Sequence, residues 1–169
     1  LYKKISVPIG MTNAAYGATA LFQWQPGEIH FQHLVDCCRA AKDFRAILWQ
    51  QGESDVMWHT ETDAYVNGML ALKAALDAEL SIDTKWLIAK STIHSSVYDD
   101  KVNEEKIRRA YDILLTHEGF YPGPDTDTLN GDNRDKGEIS GHLTEKGQIA
   151  AGELWSQAIY AFINQHTGL

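Results

Sequence analysis

Two short apolar runs constrain this chain most, FRAILWQ at 44–50 and KWLIAKS at 85–91. Neither alternates apolar with polar residues, which is the pattern of a strand covered on both faces, as in a parallel sheet. Around them lie longer segments with apolar residues at helical spacing. HFQHLVDCCRAAKD (30–43) sets Phe31, Leu34, Val35 and Cys38 on one face. TETDAYVNGMLALKAALDAEL (60–80) does the same with Val66, Met69, Leu70, Leu76 and Leu80, and KVNEEKIRRAYDILLTHE (101–118) with Ile107, Tyr111 and Leu114. The last helical segment, TEKGQIAAGELWSQAIYAFINQ (144–165), carries Ile149, Leu154, Ala158, Phe162 and Ile163, with Thr144 as its N-cap. A further apolar run, ISVPIGMTNA (5–14), reads as an earlier strand, and the Gly-, Pro- and Asp-rich stretch 119–142 reads as a long loop. Strands alternating with helices predict a three-layer α/β/α sandwich with a parallel sheet, one domain over residues 1–169.

In such sheets ligands gather at the carboxyl ends of the strands. That edge would receive NAAYGAT after the first run, QQGESDV after the second and STIHSSVYDD after the third, with the loop that ends in His142 able to join them. The net charge of -8 argues against a nucleic-acid surface, which needs clustered Lys and Arg. No apolar run is long enough to span a bilayer, so no membrane segment is expected. Cys37 and Cys38 are neighbours on a helix and point in different directions, so they are read as small packed residues rather than a disulfide. His59, Glu61 and Asp63 form a loose acidic group before a helix, where carboxylates favour the helix dipole, so no metal is expected there.

Four groups can carry chemistry. His142 stands at the end of a loop just before a helix, and an imidazole titrating near neutrality suits general-base work. In QQGESDV, Gly52 allows a tight turn, a side-chain amide can aim an N–H at developing negative charge, and a carboxylate can orient an imidazole. The same stretch can also be read as a helix-capping loop, with Ser54 or Asp55 as the cap. Asp125, Asp127 and Arg134 lie in the acidic loop, where they can contact substrate or cap turns. His94 with its two neighbouring serines can line the site or form a polar surface.

ILWQQGESD resembles the W-H-Q-G-E-S-D block of the sialate O-acetylesterase and acetylxylan esterase group, carbohydrate esterase family six of the SGNH (GDSL-like) hydrolase superfamily. Gln50 stands where that group usually has His. VPIGMTNAAYGATALFQW is similar to the preceding block of the family, with Gly17 kept, Ala18 in place of a second Gly and Trp24 closing it. GHLTEKGQIAAGELW resembles the final block, a His followed by a helix. The resemblance implies hydrolysis of acetyl esters on sugars through a serine acyl-enzyme. Gly17 would supply a backbone N–H and Gln51 a side-chain N–H to the oxyanion, and His142 would be the base. Serine, imidazole and fixed donors suffice for acyl transfer, so neither metal nor organic cofactor is implied.

Two departures shape the expectation. The family's nucleophile lies in an early G-Q-S-N block, which nothing here matches. The chain therefore reads as the later part of an esterase domain, with the serine supplied by an N-terminal segment outside these residues. Many members place an Asp three residues before the histidine, where this chain has Ile139. Glu53 is then the expected orienting acid, with Glu138, Asp135 and Asp127 as alternatives, and Asp127 and Arg134 are the expected substrate contacts. Two other readings remain: a carbohydrate-binding or scaffold module on an esterase fold, and a self-contained esterase that uses Ser54.

Overall fold

The computed structural model describes residues 1–93, 100–135 and 141–167. A one-turn helix α1 (Tyr2–Ile5) is followed by an extended segment, a 3-10 turn (Leu21–Trp24) and helix α2 (Ile29–Ala41). Strand β1 (Ile47–Gln50) leads into the short helix α3 (Glu53–Met57) and the long helix α4 (Thr62–Leu80). Then come β2 (Trp86–Lys90), α5 (Lys101–Leu114), β3 (Phe120–Asp125) and α6 (Glu145–Thr167). The sheet is parallel throughout, in the order β1-β2-β3, with Ile47 opposite Trp86 and Trp86 opposite Phe120.

Both faces of this sheet are covered, which makes it the expected α/β/α sandwich. On one face Trp86 and Ile88 of β2 pack with Trp49 of β1 against α2, α4 and α5, in a core that includes Leu34, Val35, Met69, Leu72, Ile107 and Leu114. On the other face Leu87 meets Phe162 and Ile163 of α6, with Ile5, Leu48, Tyr121 and Trp155 at the margin. The side chains of β2 are thus buried alternately into two cores, which is why its sequence shows no polar alternation. The edge-to-face contact of Trp24 with Trp49, ring centroids 5.4 Å apart, closes the larger core over the 3-10 turn. Thr144 caps α6 as expected, its Oγ1 accepting the Gly147 N–H at 3.2 Å.

Two stretches differ from expectation. Residues 5–14 do not form a strand: α1 takes up the start, and the rest runs outside the three-stranded sheet. Val7, Ile9 and Met11 stay exposed, and Pro8 supplies no N–H to a ladder. An apolar run becomes a strand only when a neighbouring backbone pairs with it, and none of the described strands does so here. Conversely, FYPGPD, read as loop, is β3. Two prolines are tolerated because, among the described strands, β3 pairs only with β2, leaving one side of it outside the ladder. Gly123 is needed for close approach, since a Cβ there would lie 2.7 Å from the carbonyl carbon and oxygen of Ile88. The two cysteines are free, Cys38 buried and Cys37 half-buried, and burial pushes the Cys38 thiol up to about 11.

Gly123→Ala is expected to force β3 away from β2 and to destabilise the domain by about 1–3 kcal/mol, the usual cost of overpacking. A urea titration that leaves the transition midpoint unchanged would contradict this account of β3.

Candidate active site

Because the strands are parallel, their carboxyl ends open on one edge, and the polar side chains that follow them are bonded to one another. Beyond β3, Thr126 Oγ1 donates to the Lys90 carbonyl at 2.9 Å. Asp127 accepts from the Thr92 N–H at 2.8 Å and from Thr92 Oγ1 at 2.7 Å. Arg108 of α5 grips Asp125 through two bonds of 3.0 and 2.6 Å and reaches Asp127 at 2.8 Å. Burial acts to raise the Asp125 carboxyl, but the Arg108 bonds and charge outweigh it and hold the group below the usual carboxylate range. Ser91, just after β2, donates to Glu53 Oε1 at 2.6 Å, joining this side of the edge to α3.

The second part of the edge is the exit of β1. Gly52 takes a φ of 146°, and a Cβ there would lie 2.7 Å from the Ser91 carbonyl oxygen, so the turn requires glycine. Gln51 is buried, and its side-chain amide is held from three directions. Nε2 donates to the Thr19 carbonyl at 3.0 Å and to Asp55 Oδ2 at 2.6 Å, while Oε1 accepts from the Tyr65 hydroxyl at 2.8 Å. The Tyr65 hydroxyl oxygen also lies 3.0 Å from that of Tyr111, whose hydroxyl donates to the Gln51 backbone carbonyl. Exchanging the amide oxygen and nitrogen would set the oxygen against two acceptors, so these contacts specify the orientation. Thr19 closes the loop that contains Gly17: its carbonyl is bonded to Gln51, and its hydroxyl donates to the Tyr16 carbonyl and accepts from Trp24 Nε1 at 2.9 Å each. Gly17 itself is exposed. Next to it Ala18 adopts a φ of 58°, the left-handed region that glycine occupies without strain.

His142 enters the edge through a clasp in the long loop. Arg134 and Leu143 form an antiparallel bridge. The Asp135 N–H donates to the His142 carbonyl at 2.9 Å, and Asp135 Oδ1 accepts the Gly141 N–H at 3.1 Å. Asp135 Oδ2 then lies 4.0 Å from His142 Nδ1, with the ring largely exposed. Arg134 locks the clasp to the end of β3, donating to the carbonyls of Leu129 (2.7 Å), Thr126 (2.8 Å) and Gly141.

The expected residues are therefore distributed as follows. The loop that carries the exposed Gly17 is joined to buried Gln51 by the Thr19 carbonyl. Glu53, expected beside the imidazole, is bonded to Ser91, and the carboxylate facing His142 is Asp135, because the backbone pairing across the loop sets those two residues side by side. Asp127 and Arg134, expected on the substrate, direct their described bonds within the protein. Both N–H groups of Gln51 are engaged, so donating to a substrate would require Nε2 to release a partner. Ser54 is only 5% exposed. Glu138 and His94 lie outside the described residues. Gln50, which replaces the family's usual His, accepts from Trp155 Nε1 of α6 at 2.8 Å. Among the described residues no group of three or more His, Cys, Asp and Glu side chains is placed to hold a metal, and His59 lies 3.9 Å from Asp100. Sequence reasoning missed Asp55 as a hub, although it is the last residue of the QGESD block, and gave no place to Tyr65, Ser91 or Arg108.

The polar network lies at the carboxyl edge of the parallel sheet, where α/β folds of this kind place their ligand sites. The family described as "Carbohydrate esterase, sialic acid-specific acetylesterase" matches residues 1–161, and this chain belongs to it. It is 29% identical over 158 residues to a probable carbohydrate esterase of Arabidopsis thaliana, covering 90% of this chain and 56% of that protein. A crystal structure of an Arabidopsis thaliana protein superposes with a TM-score of 0.74 at 24% identity, covering 94% of this chain and 63% of the other, and it shares the fold. The chain thus spans less than two thirds of the length of both relatives.

Burial raises the carboxyls of both Glu53 and Asp55, against the opposing effect of Ser91 on the first and of Gln51, Thr60 and the Leu21 N–H on the second. Each therefore binds its proton more tightly folded than unfolded. From the ordinary carboxylate range up to the raised values, the folded chain holds more protons, and stability contributed by these groups falls as pH rises. Glu53→Gln and Asp55→Asn are each expected to flatten that fall, measured as urea midpoints between about pH 4 and pH 8. Ala18→Gly relieves a left-handed alanine and is expected to raise stability by up to about 1 kcal/mol in the same titration.

Proposed function

We propose that this chain forms the larger part of a carbohydrate O-acetylesterase that works through a serine acyl-enzyme, with the serine contributed by a segment outside residues 1–169. The observation that carries the reading is the His142–Asp135 pair, held by a backbone clasp and fastened by Arg134 to the edge where the Gly17 loop and Gln51 meet the strand ends. In the first step the serine oxygen attacks the acetyl carbonyl as His142 takes its proton. The resulting oxyanion is met by the Gly17 N–H and, where Nε2 exchanges a partner, by the Gln51 amide. His142 then returns the proton to the leaving sugar oxygen, water hydrolyses the acetyl-serine, and acetate departs. Asp135 orients the imidazole. Arg134, Asp127 and Arg108 act as braces that keep these loops in register. No metal or organic cofactor takes part in this scheme. The family's description directs the substrate to acetylated carbohydrate, with O-acetylated sialic acid the first candidate and acetylated xylan the second. The burial of Ser54 disfavours the self-contained alternative, since a substrate carbonyl has no access to its hydroxyl.

The complete protein is expected to release acetate from an acetylated sugar, and His142→Ala is expected to lower kcat by about 100- to 10,000-fold, the usual contribution of a general base. Asp135→Asn should lower it by a smaller factor with the same KM. Binding of acetylated sugar without any acetate release would instead mark the protein as a carbohydrate-binding module.

A further inference from the structure

Asp55 is almost fully buried and accepts three hydrogen bonds with no described cation beside it. Its Oδ1 accepts from Thr60 Oγ1 at 2.8 Å. Its Oδ2 accepts two bonds that come from different segments: the Leu21 N–H at 2.8 Å and the Gln51 amide at 2.6 Å. Leu21 begins the 3-10 turn that directly follows the Gly17 loop, and Gln51 is the residue at the exit of β1. One carboxylate oxygen therefore ties together the two elements next to the candidate oxyanion donors, and its bond to the Leu21 N–H spans 34 residues of sequence. The bond to Asp55, at 2.6 Å, is the shorter and stronger of the two made by Nε2, against 3.0 Å to the Thr19 carbonyl. The Thr19 carbonyl is then the partner that Nε2 can exchange, and Asp55 the one it keeps.

We infer that Asp55 is a positioning residue for the oxyanion site: it holds the Gly17 loop and the Gln51 amide in fixed relation, while the Thr19 carbonyl occupies the N–H that an oxyanion would take. This rests on the esterase reading above, and it predicts that geometry at Oδ2 matters more than substrate affinity. Asparagine can present a carbonyl oxygen at the same place and turn its amide toward the Thr60 hydroxyl, which can accept as well as donate. Alanine removes the acceptor, and glutamate displaces it by one methylene.

The test uses the complete protein with p-nitrophenyl acetate. Asp55→Ala and Asp55→Glu are expected to lower kcat by about 10- to 1000-fold, in the range of a lost oxyanion donor, with KM little changed. Asp55→Asn should retain kcat to within about fivefold, a rescue that identifies the acceptor rather than the charge as the requirement. If Asp55→Ala does not fold, Asp55→Glu supplies the comparison. Native kcat in a folded Asp55→Glu or Asp55→Ala variant overturns the inference, as does a loss in Asp55→Asn equal to that in Asp55→Glu. Should the unsubstituted protein cleave no ester, the esterase reading fails, and the Gln51 side-chain amide decides the positioning claim separately. Its two N–H resonances should be protected from solvent exchange in the native protein and in Asp55→Asn, and unprotected in Asp55→Glu. Equal protection in all three overturns it.

Discussion

The central ladder of β2 is the constraint on which the rest depends. Its backbone bonds to β1 on one side and β3 on the other, and its side chains enter two separate cores. Trp86–Ala89 are buried on both faces, so their backbone polar groups must find partners within the protein. Parallel pairing on both sides then delivers three chain exits to a single edge, with α4 and α5 returning the chain to the opposite edge each time. The position of the candidate site follows from this topology before any side chain is considered.

At that edge the chain leaves a dry interior with its polar groups still partly buried, and unbonded groups there would be costly. The structure resolves this by linking the exits to each other: Thr92 to Asp127, Ser91 to Glu53, and Gln51 to Thr19, Asp55 and Tyr65. Among the described residues no buried side-chain nitrogen or oxygen lacks a partner. Such a network favours preorganisation, because moving one loop breaks bonds in several others. His142 differs from these buried groups. It stands largely in solvent, on a clasp whose rigidity comes from the Arg134 bonds to three backbone carbonyls.

Much of this was legible in local pattern. The covered strands at Ile47–Gln50 and Trp86–Lys90 announced themselves by unbroken apolar runs, and the helices by their spacing. Thr144 identified the start of α6 through capping chemistry alone. Pattern misled where a partner strand decides the outcome. Residues 5–14 have the composition of a strand without a described ladder partner, whereas FYPGPD has the composition of a turn and yet pairs, because an edge position tolerates its prolines. In the candidate site, Gly17, Gln51 and His142 were named from their blocks. Asp135 could be named only as one acid among several, since the spacing does not show which carboxylate a folded loop turns toward the ring.

By itself, then, the sequence determined the layered α/β class, the edge on which polar residues collect and the family to which the chain belongs, because periodicity, caps and the QGESD block are local properties of the chain. Tertiary structure alone decided that Asp135 faces His142, that Glu53 is joined to Ser91, and that Asp55 binds both Leu21 and Gln51. The reason is physical. Hydrogen-bond partners are chosen by distance and direction at the ends of side chains, and Leu21 reaches the Asp55 carboxylate, 34 residues away, only after the fold has brought their segments together.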